Sequence, residues 1–332
     1  MNLLILRRKM PDSDTSRALR YIPRAQKKVK AMKLTRRQFI HVAAASALLT
    51  GCGRRPAKDD VRIGLALGSG GARGLAHVAI LETLDELGIR PHRIAGTSIG
   101  AVMGALYAAG RSGAELRHLI GQLTVEDGDT LADILFEKET FKWLEFFDLE
   151  LGGGGLIDSS GFIHYVGELI GHNRFGLLEI PLAVVAADLW SGAQVVFRSG
   201  ALLPAIKASI AIPGIFEPVE YQGRHLIDGG TVNPLPFDQL PDCDLTIAVD
   251  VTGELSGHDG PPSYTETLFY SIHNMEQRIL TQKLKEQRPD IYLRPEIRDV
   301  RALQFYRAEE VYRQSSAVTT ELKQQLAALI VL

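Results

Sequence analysis

Val61-Arg62-Ile63-Gly64-Leu65-Ala66-Leu67-Gly68-Ser69-Gly70-Gly71-Ala72-Arg73-Gly74 is the stretch on which the fold turns. Its first half is a short apolar run of the kind that fills a buried strand, and its second half is a glycine-rich turn from Gly68 to Gly74. Leu75, Val78, Leu81, Leu84 and Leu87 then recur at helical spacing, and Gly88 stands where a helix C-cap is expected. A second strand is predicted over Arg93 to Thr97, followed by a small-residue helix from Ile99 to Ala109 that Gly110 closes. Strand, turn, helix, strand, turn, helix predicts a parallel sheet with helical crossovers.

Working outward, helical periodicity marks about 113–122, 130–147 and 159–170, with Gly152-Gly153-Gly154-Gly155 between them as a hinge or lid candidate. Strands are predicted over Pro181 to Ala187 and Gln194 to Arg198, and a short helix over Ala201 to Ser209. A hairpin follows from Pro218 to Gln222 and His225 to Ile227, then a core-like strand from Asp244 to Val251. The tail reads as a helix around 264–287, a strand at 290–294 and a closing helix over 306–329. A composition of 45% hydrophobic and 23% charged residues excludes a disordered or collagen-like chain, and 332 residues suffice for a well-buried core.

The formal charge of −2 conceals two regions. Residues 1–37 carry 12 Lys or Arg against only Asp12 and Asp14, so everything after them is strongly acidic. An acidic body is a poor surface for nucleic acid, and no such partner is expected. Arg36-Arg37 before an apolar run reads as a twin-arginine export signal, and Leu49-Thr50-Gly51-Cys52 resembles a bacterial lipobox with Cys52 as the lipid-modified residue. Translation would start at Met32, or Met1 would open a long basic region. The alternative is a buried amphipathic helix followed by a chance cysteine. Gly53 after Cys52 leaves no Asp to mark inner-membrane retention, so an envelope lipoprotein, preferably of the outer membrane, is the expected location. The expected organisation is a leader over 1–52, a tether over 53–60, a catalytic core over 61–250 and a C-terminal helical extension over 251–332 packing on it.

Acylation of Cys52 would leave only Cys243, which reads as structural, and no disulfide. The nine histidines form no His-x-x-x-His spacing and there is no Cys-x-x-Cys, so no metal is expected. Gly96-Thr97-Ser98-Ile99-Gly100, between a predicted strand and helix, has the form of a nucleophile elbow, with Gly96 and Gly100 permitting the sharp turn. The following helix would direct its N-terminal amides at developing negative charge. The alternative for Ser98 is a helix-capping role in a tight turn. A serine needs a base. His258, in a polar turn, and His273, in a predicted helix, lack the setting of a catalytic loop histidine. Asp228, in Ile227-Asp228-Gly229-Gly230, is a candidate base, although Asp-Gly also marks an ordinary hairpin turn. The Gly68–Gly74 loop fails as a dinucleotide fingerprint because Arg73 stands where the third glycine belongs, and no Gly-Lys-Ser/Thr follows. Its amides could still hold an oxyanion. No cofactor is expected.

Gly70-Gly71-Ala72-Arg73-Gly74, Gly96-Thr97-Ser98-Ile99-Gly100 and Asp228-Gly229-Gly230, in that order, resemble the patatin-like phospholipase family. Ala208-Ser209-Ile210-Ala211-Ile212-Pro213, Phe216-Glu217-Pro218-Val219 and Val232-Asn233-Pro234-Leu235-Pro236 support the resemblance, which covers about residues 61–250. It implies a three-layer α/β/α fold with a mainly parallel central sheet. It also implies a metal-free lipid acyl hydrolase in which Ser98 attacks an ester and Asp228 takes its proton. Gly70 and Gly71 would hold the oxyanion, and Arg73 would orient the loop, meet a lipid phosphate or lie at the surface as an ordinary helix-start arginine. Ser69 departs from the glycine of many members, with little consequence expected. Two other readings remain at this point: a catalytically silent lipid-binding envelope scaffold, and a serine protease or amidase.

Overall fold

The computed structural model describes residues 55–123, 158–257, 260–262 and 264–332. The leader with Cys52, the helix at 130–147, the Gly152–Gly155 run and His258 lie outside the described residues. The described residues belong to one compact unit.

Strand β1 (Ile63–Leu67) leads through the glycine loop and a 3-10 turn (Gly71–Leu75) into α1 (Ala76–Glu86). Strand β2 (Arg93–Thr97) and α2 (Ile99–Ala108) follow, then α3 (Gly113–Leu123) and α4 (Ser160–Ile170). After β3 (Leu182–Asp188), β4 (Gln194–Phe197) and α5 (Leu202–Ser209) comes the hairpin β5 (Val219–Tyr221) and β6 (Arg224–Asp228). The chain closes with β7 (Leu245–Val249), α6 (Tyr264–Glu286), β8 (Ile291–Leu293), α7 (Ala308–Gln314) and α8 (Ser316–Leu329). The closing helix expected as one piece over 306–329 is broken at Ser315, whose hydroxyl donates at 2.6 Å to Val311 O, the carbonyl that its own amide also uses at 3.0 Å, a back-bond that bends helices.

Hydrogen-bonded neighbours follow the path β5-β6-β3-β2-β1-β7-β8, with β4 as a further partner of β3. The pairs among β3, β2, β1, β7 and β8 are parallel, and those of β3 with β4 and β6 are antiparallel. The strand period of two sorts side chains by size. Ile63, Leu65, Leu67, Ile94, Leu182, Val184, Ile247, Val249, Ile291 and Leu293 join the core beneath α1 to α5, α7 and α8. Ala66, Ala95, Ala183 and Ala248 face the other layer, formed by Phe237, Leu240 and Leu280 of α6. A side chain on Gly64 would lie 2.7 Å from the Cys243 sulfur, so the second layer sits close against the sheet. Helices on both faces of a mostly parallel sheet make the three-layer α/β/α fold.

Residues 251–332 do more than pack on the outside: β8 extends the sheet beside β7, and the Ala302 carbonyl accepts from Ala72 N at 2.7 Å in the glycine loop.

Strand register brings two distant ends together. Val184 and Val185 pair with β2 and with β4, whereas Ala186 and Ala187 pair with β4 and with β6. Since β4 holds one edge of β3 from Val184 to Ala187, β2 and β6 share the opposite edge in succession. One is parallel to β3 and the other antiparallel, so their C-terminal ends meet head-on, Thr97 opposite Val185 and Asp228 opposite Ala186.

Candidate active site

Ser98 directly follows β2, with φ 55° and ψ −126°, a backbone conformation that a non-glycine residue adopts only under constraint. Backbone crowding supplies that constraint: a Cβ on Gly100 would lie 2.2 Å from Leu67 O. The Ser98 amide donates to Ser209 Oγ at 2.9 Å, and Ser209 Oγ donates to Val185 O at 2.6 Å. The end of α5 thereby ties the elbow to β3.

The Ser98 hydroxyl donates to Asp228 Oδ2 at 2.5 Å, and Gly230 N donates to the other oxygen, Oδ1, at 2.7 Å. Both side chains are buried. Desolvation pushes the Asp228 pKa up to about 6, against the opposing pull of its hydrogen bonds from Ser98 and Gly230. At neutral pH the group is therefore ionised, yet it binds a proton more readily than an aspartate in water.

The glycine loop lies beside this pair. Gly71 has φ 56°, and a side chain there would meet Ala302 O at 2.3 Å, so only glycine fits. Ser69 N donates to Pro234 O at 2.8 Å, but among the described residues no backbone acceptor takes the Gly70 or Gly71 amide. Arg73 is buried, not at the surface, and donates to Val300 O at 2.8 Å and Val251 O at 3.3 Å. It ties the loop to the tail, and its burial pulls the guanidinium pKa down. His77 sits beneath the loop with Nε2 3.0 Å from Gly68 O, and burial lowers its pKa to about 4, so a neutral ring supports the turn.

Ser98, Asp228, Gly70, Gly71 and Arg73 all line one cleft of about 490 Å³. Much of its wall is apolar, from Ile212, Pro213, Ile215, Phe269 and Leu303. A smaller apolar recess also borders Ser98, lined by Val102, Phe162, Ile210, Phe216 and Phe305 among others. His273 lines the cleft too, but burial and the nearby Arg73 and Arg294 charges lower its pKa to about 4, and its buried Nδ1 has no hydrogen-bond partner. Among the described residues no cluster of His, Cys, Asp and Glu could hold a metal, and no helix is long and apolar enough to cross a membrane.

The family model for patatin-like phospholipases matches residues 65–241, from β1 to just short of β7. The chain belongs to the patatin-like phospholipase family. This family member is 39% identical over 208 residues to an uncharacterised NTE family protein of Mycobacterium tuberculosis, a match covering 61% of this chain and 53% of that protein. It is 33% identical over 193 residues to patatin-like phospholipase domain-containing protein 7 of Rattus norvegicus, covering 57% of this chain and 13% of the rat protein. The chain thus spans about half the length of the mycobacterial relative and much less of the mammalian one. Among solved structures, VipD from Legionella pneumophila aligns with a TM-score of 0.42 and 13% identity over 84% of this chain and 68% of that one.

Several residues of this patatin-like site escape a reading of motifs. Ser209 lies inside one of the quoted blocks, but its tie to the Ser98 amide needs the tertiary fold. Ser69, where many members have glycine, donates its hydroxyl to Glu276 Oε1 at 2.9 Å. Glu276 is a buried carboxyl on α6, beyond the family match. A signal for it exists, since Phe269, His273, Glu276 and Leu280 recur on one helical face, with charge where an apolar residue would be expected.

Proposed function

We propose that the protein is a serine acyl hydrolase acting on lipid esters through a Ser98-Asp228 dyad. The observation that carries this reading is the 2.5 Å hydrogen bond from the Ser98 hydroxyl to a buried carboxylate, made at a strained elbow. Ser98 Oγ attacks the ester carbonyl carbon while its proton passes to Asp228 Oδ2. The carbonyl oxygen becomes an oxyanion held by the Gly70 and Gly71 amides. Collapse of the tetrahedral intermediate breaks the ester C–O bond, and the leaving alkoxide takes the proton from Asp228 as it departs. Water then attacks the acyl-enzyme, gives its proton to Asp228, and releases the fatty acid as the proton returns to Ser98 Oγ. The cleft of about 490 Å³ suits a lipid ester, and the apolar recess beside Ser98, about 40 Å³, suits the first carbons of its acyl chain.

Hydrolysis of p-nitrophenyl esters and of a phospholipid by Ser98→Ala and Asp228→Asn tests the dyad. Each variant should lose about 10³-fold or more in kcat with its fold intact. Turnover near the wild-type level in either would overturn the reading, as would failure of a fluorophosphonate to label Ser98.

The twin-arginine pattern and Leu49-Thr50-Gly51-Cys52 support a further part of the proposal: the enzyme is exported and anchored by lipid on Cys52 to the bacterial envelope, preferably the outer membrane. Mass spectrometry of the protein from its native membrane should find a lipid-modified Cys52 as the first residue. An unmodified chain retaining the leader would refute the anchor.

A further inference from the structure

Glu276 stands inside the cleft, buried, with its carboxyl at the junction of the glycine loop and the loop after Asp228. Ser69 Oγ donates to its Oε1 at 2.9 Å. A Cβ placed on Gly230 would lie 2.0 Å from Glu276 Oε1 and 3.1 Å from Asp228 Oδ1, so the two carboxyls flank a single glycine. Two carboxyls this close in a desolvated site cannot ionise independently.

Resting on the dyad reading, we propose that Glu276 is a positioning residue of the reaction: through Ser69 it anchors the oxyanion loop, and across Gly230 its charge acts on Asp228. The groups facing it are Asp228 at the end of β6, Ser69 and Arg73 from the glycine loop, Asp250 after β7, and His273 one turn earlier on its own helix. Burial and the Asp228 charge push the Glu276 pKa up to about 7, while the Ser69 hydrogen bond and Arg73 oppose them.

The consequence follows from where charge moves. During attack, negative charge leaves Asp228 and appears on the substrate oxygen. An ionised Glu276 repels a charged Asp228, so the transfer relieves repulsion and the base is stronger. The pair ionises in two coupled steps, Asp228 before Glu276, and the enzyme gains activity at each as pH rises.

The experiment follows kcat/KM on a soluble ester, and the rate of Ser98 labelling by a fluorophosphonate, across pH 5 to 9. Wild type should rise in two steps. Glu276→Gln, which keeps the acceptor for Ser69 but no charge, should show the lower step alone, with a plateau roughly fivefold lower. Ser69→Ala removes a hydrogen bond that favours ionised Glu276, so it should move the upper step to higher pH, and it keeps the inference testable should Glu276→Gln fail to fold. Profiles of both variants superimposable on wild type would overturn it, and so would an upper step that lowers the rate. Absence of any labelling at Ser98 in wild type would instead bring down the dyad itself, and this inference with it.

Discussion

With its pKa pushed up to about 6 by burial, Asp228 is ionised at neutral pH, and kcat/KM should fall tenfold per unit below the lower of the two steps in its pH profile, near 6. The same shift acts on stability. The folded state holds this proton more tightly than the unfolded chain, whose aspartate titrates near 3.8, so stability is fully present below about pH 4 and lost as pH rises through 6. Asp228→Asn removes the penalty while keeping an acceptor for Gly230 N. We expect the inactive variant to be more stable than wild type at pH 8, by on the order of 3 kcal/mol, with the difference vanishing near pH 4. Urea unfolding at the two pH values measures this. Equal stability at pH 8 would mean that the carboxylate is better solvated than its burial implies.

At the scale of elements, the site depends on where strands end and helices begin. β2 and β6 run toward each other along one edge of β3, and α2 starts where they meet. The helix α5 fixes this junction through Ser209, which serves the Ser98 amide and the Val185 carbonyl together. Ser209→Ala should cost about 1–3 kcal/mol by leaving two buried backbone groups unpaired. Because the loss displaces the elbow and not the apolar walls, kcat should drop more than KM rises. Thermal melts together with steady-state kinetics on one ester check this, and an unchanged kcat would show the elbow to be held by glycine crowding alone.

Across the whole molecule, one face of the sheet carries large aliphatic residues under a thick helical layer, and the other carries alanines under α6. That asymmetry places α2 and its apolar neighbours beside Ser98, which makes Val102 a wall of the small apolar recess there. Val102→Phe should lower kcat/KM for butyrate and longer esters roughly tenfold while sparing acetate esters. A chain-length profile identical to wild type would place the acyl chain in the wider cleft instead. Much of this architecture was legible beforehand, because the first two strands, their turns and their helices are written in local periodicity and in the glycines that only such turns require. The order of the glycine loop, the elbow and Asp-Gly-Gly likewise indicated the family. Local pattern alone did not pair Ser98 with Asp228, 130 residues apart; the family resemblance implied that pair, and the contact itself depends on two strands sharing one edge of a third. Nor could local pattern supply the contact between Ser69 and Glu276, 207 residues away from it. Local patterns record what each segment buries and how it turns. The proton affinity of a carboxyl depends on the charges and solvent that distant segments bring to it or exclude, and only the folded chain decides which those are.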